Sequence, residues 1–376
     1  MYKSCPPWRK VKKGGLYAKG DRNMSLMNVA KVLADEFSNL TFSEQVEITT
    51  SVPEYQEYLN RVLQENGFWK NIPDFLSLSY GLGGGILKVY AENGKPRIDY
   101  IGGDMFVPTA WNSRGIFEGV FSSITYRNGY YYTLFEWHSF NSNGEASVEN
   151  ILYKSLLKSS LGSPCPLDEL FPDLVQSASY NGVNVPMFSY FKPCVSNNAD
   201  IDCPLGISVF ANSLDTLKAL DIAFDSFTRE FILGKKRIIV PSSCIRTVVD
   251  AESGAMKRYF DADDEAFIAL KSDETQDLKI TDNTVELRVE EHISAINALL
   301  NILCFQTGLS AGSLSFDSTQ GMKTATEVIS QNSKTARTMK GHKNLAKELF
   351  ENLANSVISL GISLGDIPSG QAYAIT

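Results

Sequence analysis

Four places in the sequence bring together residue types that could do chemistry. The run Gly81-Leu-Gly-Gly-Gly85 could offer backbone amides to a phosphate. A nucleotide loop, however, follows a strand, opens a helix and carries Gly-Lys before Ser or Thr. Here the run leads into a predicted strand, Ile86-Leu-Lys-Val-Tyr90, with no such lysine. It reads as a flexible hairpin or barrel corner. Gly312-Ser313 puts a hydroxyl in a loop, but no Gly-x-Ser-x-Gly elbow or histidine pattern accompanies it. The acids Asp261, Asp263, Asp264 and Glu265 lack the glycine hinge and terminal glutamate of a calcium loop, and read as a solvated acidic face. Glu290-Glu291-His292 resembles part of a zinc helix, without a second histidine four residues on.

Cysteines 5, 165, 194, 203, 244 and 304 form no C-x-x-C pair, and His138, His292 and His342 lie far from them in sequence. That spacing makes a structural zinc site improbable. The expectation is therefore no catalytic residue, no metal, no cofactor and no enzymatic activity.

At 376 residues, 43% hydrophobic and 21% charged, the chain can fill a sizeable core or divide into two or three domains. No apolar run reaches the roughly 18 residues of a membrane span. The start, Met1-Tyr-Lys-Ser-Cys-Pro-Pro-Trp8, lacks the apolar stretch of a secretory signal, so an intracellular setting with reduced cysteines is expected. A net charge of −8 and a pI near 5.1 argue against tight, sequence-reading DNA binding, which depends on neutralised phosphates. Lys3, Arg9, Lys10, Lys12, Lys13, Lys19 and Arg22 face a single acid, Asp21, in the first segment, which reads as a solvated terminal arm.

The elements that must position these residues follow from periodicity. Residues 24–40 place Leu26, Val29, Leu33, Phe37 and Leu40 on one helical stripe, and 53–70 repeat the pattern behind Pro53. After Tyr80, Asn93-Gly94, Asn128-Gly129 and Asn143-Gly144 mark three hairpin turns, so 80–155 reads as one antiparallel meander. Residues 158–205 read as loops with short strands. A helix is predicted over 213–234, with Ser213 as N-cap, a stripe of Leu217, Leu220, Phe224, Phe227 and Phe231, and Gly234 as its stop. Residues 235–240 follow as a strand, and 241–288 form a charge-dense insert. A second helix covers 289–308 through Ile293, Ile296, Leu300 and Leu303. A Gly/Ser-rich loop comes next, then a long helix over 323–360 with Gly341 as a candidate break. Residues 371–376 look like the opening of a strand, which implies that the natural chain continues. The class is α+β.

The informative feature is the order of parts: helix, charged insert, helix, small-residue loop, long helix. Helices bracketing a short return pack as antiparallel neighbours. In that order stand several recognisable pieces: Trp8 with Gly15-Leu-Tyr17, Met27-Asn-Val-Ala-Lys-Val-Leu-Ala-Asp-Glu36, and Gly206 with Asn212-Ser-Leu-Asp-Thr-Leu-Lys-Ala-Leu-Asp221. Gly234-Lys-Lys-Arg-Ile-Ile-Val-Pro241 and Lys323-Thr-Ala-Thr-Glu-Val-Ile-Ser330 complete the set. Through these pieces nearly the whole chain resembles the portal proteins of long-tailed phages that infect Gram-positive bacteria.

The resemblance implies a portal-type fold: a mixed α/β wing, paired stem helices, a small α/β clip, a tunnel loop and a long helix leading to a crown. Residues 1–205 would be arm and wing, 206–234 and 289–308 the stem, 235–288 the clip, 309–322 the tunnel loop, and 323–376 the long helix with a truncated crown. It implies a ring of twelve copies at one capsid vertex, passing double-stranded DNA without sequence specificity for packaging, retention and ejection. Implied partners are the terminase large subunit, a head–tail adaptor, and capsid and scaffolding proteins, with no membrane. The protein would reside in the virion, and in the host cytoplasm during assembly.

Within that frame Ser310, Ser313, Ser315, Thr319 and Gln320 would face DNA. Lys323, Lys334, Arg337 and Lys340 would meet the channel or a neighbouring subunit, and Arg246, Lys257 and Arg258 would contact terminase or adaptor. An acidic chain fits a conduit that must let DNA slide, and a loop of Gly, Ser, Ala and Thr gives it little to hold. The alternatives are a nucleotide-handling enzyme built on Gly81–Gly85, or a minor head or adaptor protein.

Overall fold

The computed structural model describes residues 6–11, 22–42, 46–141, 145–183, 185–233, 238–239, 246–249, 256–259, 281–282, 286–316 and 325–376; side chains of 233, 238–282 and 325–332 are outside the description. In chain order come two-residue strands β1 (Lys10–Val11) and β2 (Arg22–Asn23), then helices α1 (Val29–Thr41), α2 (Pro53–Glu65) and α3 (Phe68–Leu82). Strands follow: β3 (Gly85–Glu92), β4 (Lys95–Gly102), β5 (Phe106–Asn112), β6 (Gly115–Arg127), β7 (Tyr130–Asn141), β8 (Glu145–Ser155), β9 (Ser163–Cys165), β10 (Ser177–Asn181) and β11 (Phe188–Phe191). Helix α4 (Leu214–Leu233), short strands β12 (Ile238–Ile239), β13 (Arg246–Val249), β14 (Met256–Tyr259) and β15 (Thr281–Asp282), and helices α5 (Val289–Thr307) and α6 (Ala325–Leu364) complete the order. The class is α+β, as expected.

Two compact units divide the chain. The larger comprises Met1–Pro7, Asn28–Lys218 and Leu300–Thr376, the smaller Trp8–Met27 and Ala219–Leu299. In the larger, α1, α2 and α3 bury Leu33, Phe37, Tyr55, Leu59, Ile72 and Leu76, and the far half of α6 adds Leu353 and Val357. Each buried side chain of that size contributes about 1.5–3 kcal/mol. Residues 53–70 do not make a single helix. Asn66 ends α2, Gly67 takes φ 59°, and α3 begins at Phe68. The sequence reading missed α3 because Pro73 sits inside it, where a proline normally argues against a helix.

Residues 80–155 form two sheets and not one meander. One has the order β11-β3-β4; the other runs β10-β8-β7-β6-β5, with β9 also paired to β8. The change of sheet occurs at the short 3-10 turn Gly103–Met105, where the Gly103 amide donates to the Gly84 carbonyl at 3.0 Å. A Cβ on Gly103 would meet that oxygen at 2.7 Å. Two predicted hairpins are type I′ turns with both central residues at positive φ, 52° and 73° at Asn93-Gly94, 52° and 84° at Asn128-Gly129. The third, at Asn143-Gly144, lies outside the described residues, between strands paired through Asn141 and Glu145. Buried Lys88 of β3 joins the sheets, 2.9 Å from Glu136 of β7 and 3.3 Å from Asp99 of β4. Burial pushes the Glu136 carboxyl up, but the adjacent His138 ring and Lys88 outweigh it and bring the pKa down to about 2.

In the smaller unit the first described segment is docked, contrary to the reading of a solvated arm. The Trp8 indole donates to Asp221 at 2.9 Å, and the Met27 amide to the same carboxylate at 3.0 Å. One turn on, Asp225 accepts both ends of the Arg22 guanidinium, at 2.7 and 2.6 Å, and the Ser25 amide at 3.0 Å. The Arg22 bond comes first among the causes that hold Asp225 below the usual carboxylate range. These bonds also explain why 24–28 are not helical: α1 starts only after Asn28, at φ 55°. Lys3, Lys12, Lys13, Lys19 and Asp21 lie outside the described residues. Strand β12 pairs with β15 and β13 with β14, both antiparallel.

The end of the segment 371–376 pairs as expected of a strand opening, but in one isolated bridge, Thr50 opposite Ile375, beside which Thr49 and Thr376 exchange two backbone hydrogen bonds of 3.0 Å.

Candidate functional site

Helices α4 and α5 lie side by side and antiparallel. At one end Thr216 donates to Gln306 at 2.9 Å. At the other, Arg288 makes two hydrogen bonds to Glu230, at 3.1 and 3.0 Å, and Phe227 packs 5.7 Å from the His292 ring. Ser213 does not cap α4. It sits in a 3-10 turn, Ala211–Ser213, with its hydroxyl buried and unpartnered, and the proposed stop at Gly234 is outside the described residues. His292 faces Glu230 at 3.7 Å while Glu290 and Glu291 are exposed, so the fragment that resembled a zinc helix turns its ring to the α4–α5 contact. Among the described residues no three His, Cys, Asp or Glu side chains could share a metal; the acids 261–265 lie outside them.

The small-residue loop begins with a glycine stop at Gly308, the residue at which the sequence reading ended the second helix. Gly308 takes φ 82°, and the Leu309 amide closes back on the Cys304 carbonyl at 2.9 Å, the six-residue return of a Schellman cap. The chain is then stitched to α6. Thr338 donates to the Gly308 carbonyl at 2.7 Å, the Ser310 amide donates to the Thr335 hydroxyl at 2.9 Å, and the two hydroxyls lie 3.0 Å apart. Lys334 donates to the Phe305 carbonyl at 3.0 Å and lies 4.5 Å from the centre of its ring.

Of the residues expected to face DNA, Ser310 is buried and bound to Thr335, so its hydroxyl does not face solvent. Ser313 and Ser315 are exposed, and Thr319, Gln320 and Lys323 lie outside the described residues. Lys334 is half-buried and occupied by Phe305, whereas Arg337 and Lys340 are exposed. Arg246, Lys257 and Arg258 belong to the β13–β14 pair, opposite Tyr259, Val248 and Thr247. Only the backbone is described there. The loop's root therefore stands on Thr335 and Thr338, which sequence reasoning passed over; two threonines one turn apart on the helix after the loop were the available signal.

Helix α6 is unbroken through Gly341 over its 40 residues, about 60 Å at 1.5 Å per residue. That glycine serves close packing, since a Cβ there would come 2.7 Å from Cys194 Sγ. The next residue, His342, is buried against Phe37 and Tyr80 and accepts the Cys194 amide at 3.1 Å. Burial brings its pKa down to about 4.

The glycine run at 81–85 is neither a barrel corner nor a phosphate loop. It ends α3, with Gly83 at φ 90° as C-cap, and opens β3. The end of a helix presents carbonyl oxygens, the wrong polarity for an anion. What it would hold is also taken: a Cβ on Gly83 would strike the Ile207 backbone at 2.7 Å, and one on Gly84 the Tyr190 hydroxyl at 2.4 Å.

With helix pair, intervening strands, small-residue loop and long helix placed, the sequence model of the phage portal proteins, SPP1 Gp6-like, matches residues 18–371. The chain belongs to that family. The match covers the helix pair, the strands between, the loop and α6 together. A search of curated proteins finds no match. A portal protein is a structural component of a phage. No described helix is long and apolar enough to cross a membrane.

Proposed function

We propose that copies of this chain close into a ring at one vertex of a phage head and form the conduit through which double-stranded DNA enters and leaves. The observation that carries this is the antiparallel pair α4–α5 bracketing the short strands β12–β15, followed by a loop of small residues rooted on α6. Repeated around an axis, such pairs would make the wall of a hole, with the bracketed strands at one end. The outward side chains suit that wall: Ile222, Phe231 and Ile232 of α4 are 45%, 46% and 59% exposed. In this reading α4 and α5 are the stem, β12–β15 belong to the clip, 309–322 is the tunnel loop, and residues before about 205 form most of the wing.

The DNA-facing part of the loop would then start after its stitched root. Exposed Ser313 and Ser315 offer a duplex hydrogen-bonding contacts without a charge that would hold it. The clip would meet the terminase large subunit during packaging and a head–tail adaptor afterwards, with the motor supplying ATP hydrolysis. Capsid and scaffolding proteins would surround the ring in the virion, assembled in the host cytoplasm.

Negative-stain microscopy of the purified chain tests the core of the proposal. Rings of about twelve subunits with an open centre are expected, twelve being the number the family resemblance implies. A sample that stays monomeric at concentrations where portals assemble would overturn it, and so would turnover of a nucleotide by the chain alone.

A further inference from the structure

The six-stranded sheet has two faces of different fate. Its inner face carries Phe106, Phe121, Tyr132, Leu134 and Leu152, all buried. Because side chains alternate along a strand and directly paired residues share a face, the register fixes what the other face carries. One cross-strand row reads Val107, Val120, Trp137, Glu149, Ser177. The next reads Ser122, Phe135, Ile151, then Ile124, Thr133, Tyr153, then Tyr126, Tyr131, Ser155. An antiparallel sheet with one solvated face normally puts polar residues there. Here Val107 is 59% exposed, Ile124 53%, Tyr126 63%, Trp137 46% and Ile151 42%. At roughly 150–250 Å² for a large side chain, these present on the order of 500 Å² of apolar and aromatic surface. That is enough for the core of an ordinary protein–protein contact, whose share per partner is about 800 Å².

The charge on this face has one sign. Glu149 lies in the first row, and Glu118 sits two residues before Val120, on the same face of β6. No ion pair engages either one among the described residues. The larger unit also holds a surface of complementary character. On α5, Ile302 and Phe305 are 47% and 76% exposed. Beside Phe305 stands Lys334 of α6, and beyond it Arg337 and Lys340 follow at three-residue steps, exposed and in no ion pair among the described residues. One surface is apolar with an acidic fringe, the other apolar with a basic fringe.

We propose that the outer face of the six-stranded sheet seats the Ile302–Phe305 face of α5, with Arg337 and Lys340 of α6, from a neighbouring copy of this chain. Two different surfaces on one chain that fit each other make a head-to-tail contact, the kind that closes a ring when the rotation allows. The contact rests on the ring reading above and specifies one of its interfaces. It assigns Arg337 and Lys340 to subunit contact and away from DNA. Aromatic side chains and absent charge at the centre, with charged pairs at the rim, match the composition of stable interfaces.

Charge reversal tests it on the whole chain. Glu118→Lys with Glu149→Lys should weaken ring formation about tenfold or more, since like charges then face each other across the contact. Arg337→Glu with Lys340→Glu should do the same, and the four changes together should recover rings. Sedimentation velocity reads the ring fraction, and circular dichroism checks that each variant is folded. Ile124→Ser, which changes no charge, should also lower the ring fraction. Rings at the unmodified level in both reversal pairs, or no recovery in the combined variant, would overturn this contact and leave the ring reading standing. Absence of rings in the unmodified chain would instead overturn the ring reading, and the contact with it.

Discussion

Two stretches of small residues in this chain, 81–85 and 308–316, look alike on paper and are used in opposite ways. At 81–85 the glycines exist because other atoms already fill the space beside them: Ile207 backbone at Gly83, the Tyr190 ring at Gly84, and Ser79 and Phe75 at Gly85. At 308–316 the root is held by Thr335 and Thr338 and the Gly312 amide by the Asn301 side chain, while the side chains of Ser313, Ser315 and Phe316 are exposed. Composition does not separate the two. What does is the element that follows: a strand in the centre of a sheet packs closely, while a loop between two helices can project.

The sharpest way to break this comparison is to add one methyl group to the first stretch. Gly85→Ala would place Cβ 2.1 Å from Ser79 Oγ and 2.8 Å from the Phe75 ring, both on a fully formed helix. Overpacking of this kind costs typically 1–3 kcal/mol and more when two neighbours must shift. A loss of about 3 kcal/mol in denaturant unfolding is expected. An unchanged midpoint would mean that the run is a loose corner after all.

Acid reaches the same packing from its other side, through Tyr80 and the His342 ring 5.3 Å away. His342 has a folded pKa of about 4 against 6.5 for a free imidazole. The folded pKa is depressed, so between those values the unfolded chain binds the extra proton. The stabilising contribution is fully present above about pH 6.5 and is lost as pH falls toward 4, by up to about 3 kcal/mol. His342→Gln should flatten that part of the stability–pH curve; an unchanged slope would place the effect on other groups.

Which parts were legible follows from how local their causes are. The stripe of α1 and two Asn-Gly hairpins depend on residues within a few positions, and the sequence carried them. The division into two sheets did not show, because β11 joins β3 only through the tertiary fold. Helix α3 was hidden by Pro73. Ser213 and Gly341 misled for one reason: each has a strong local meaning, cap or break, that packing overrode. The position of the loop after α5 was readable from its small residues. Its latch was not, since Ser310 and Thr335 are 25 positions apart.

The second stretch should respond less, and only at its root. Gly308→Ala forces a side chain to φ 82° with Cβ 2.8 Å from Thr338 Oγ1 and 3.0 Å from its Cγ2, a wider approach than the 2.1 Å at Gly85. A loss of about 1–2 kcal/mol is expected, below that of Gly85→Ala. Thr335→Val keeps the shape and removes the acceptor of the Ser310 amide, for about 1 kcal/mol. Equal losses at Gly308 and Gly85, measured by the same unfolding curves, would erase the distinction drawn between the two stretches.

The smallest effect is the most telling for function. Ser313→Ala and Ser315→Ala alter exposed side chains beyond the latch, so unfolding should shift by no more than about 0.5 kcal/mol, and ring formation should not change. If the loop is a sliding surface, the chemistry at these positions matters less than their lack of charge. Ser313→Arg with Ser315→Arg then supplies the contrast. Stability would again be nearly constant, but each cation in the channel would attract phosphate, and twelve copies would multiply the attraction. Duplex DNA binding to assembled rings, measured against salt, should be weak and unchanged for the alanine pair and strong, with a steep salt dependence, for the arginine pair. Equal DNA binding by both pairs would place the exposed end of this loop outside the conduit, whatever the ring's shape.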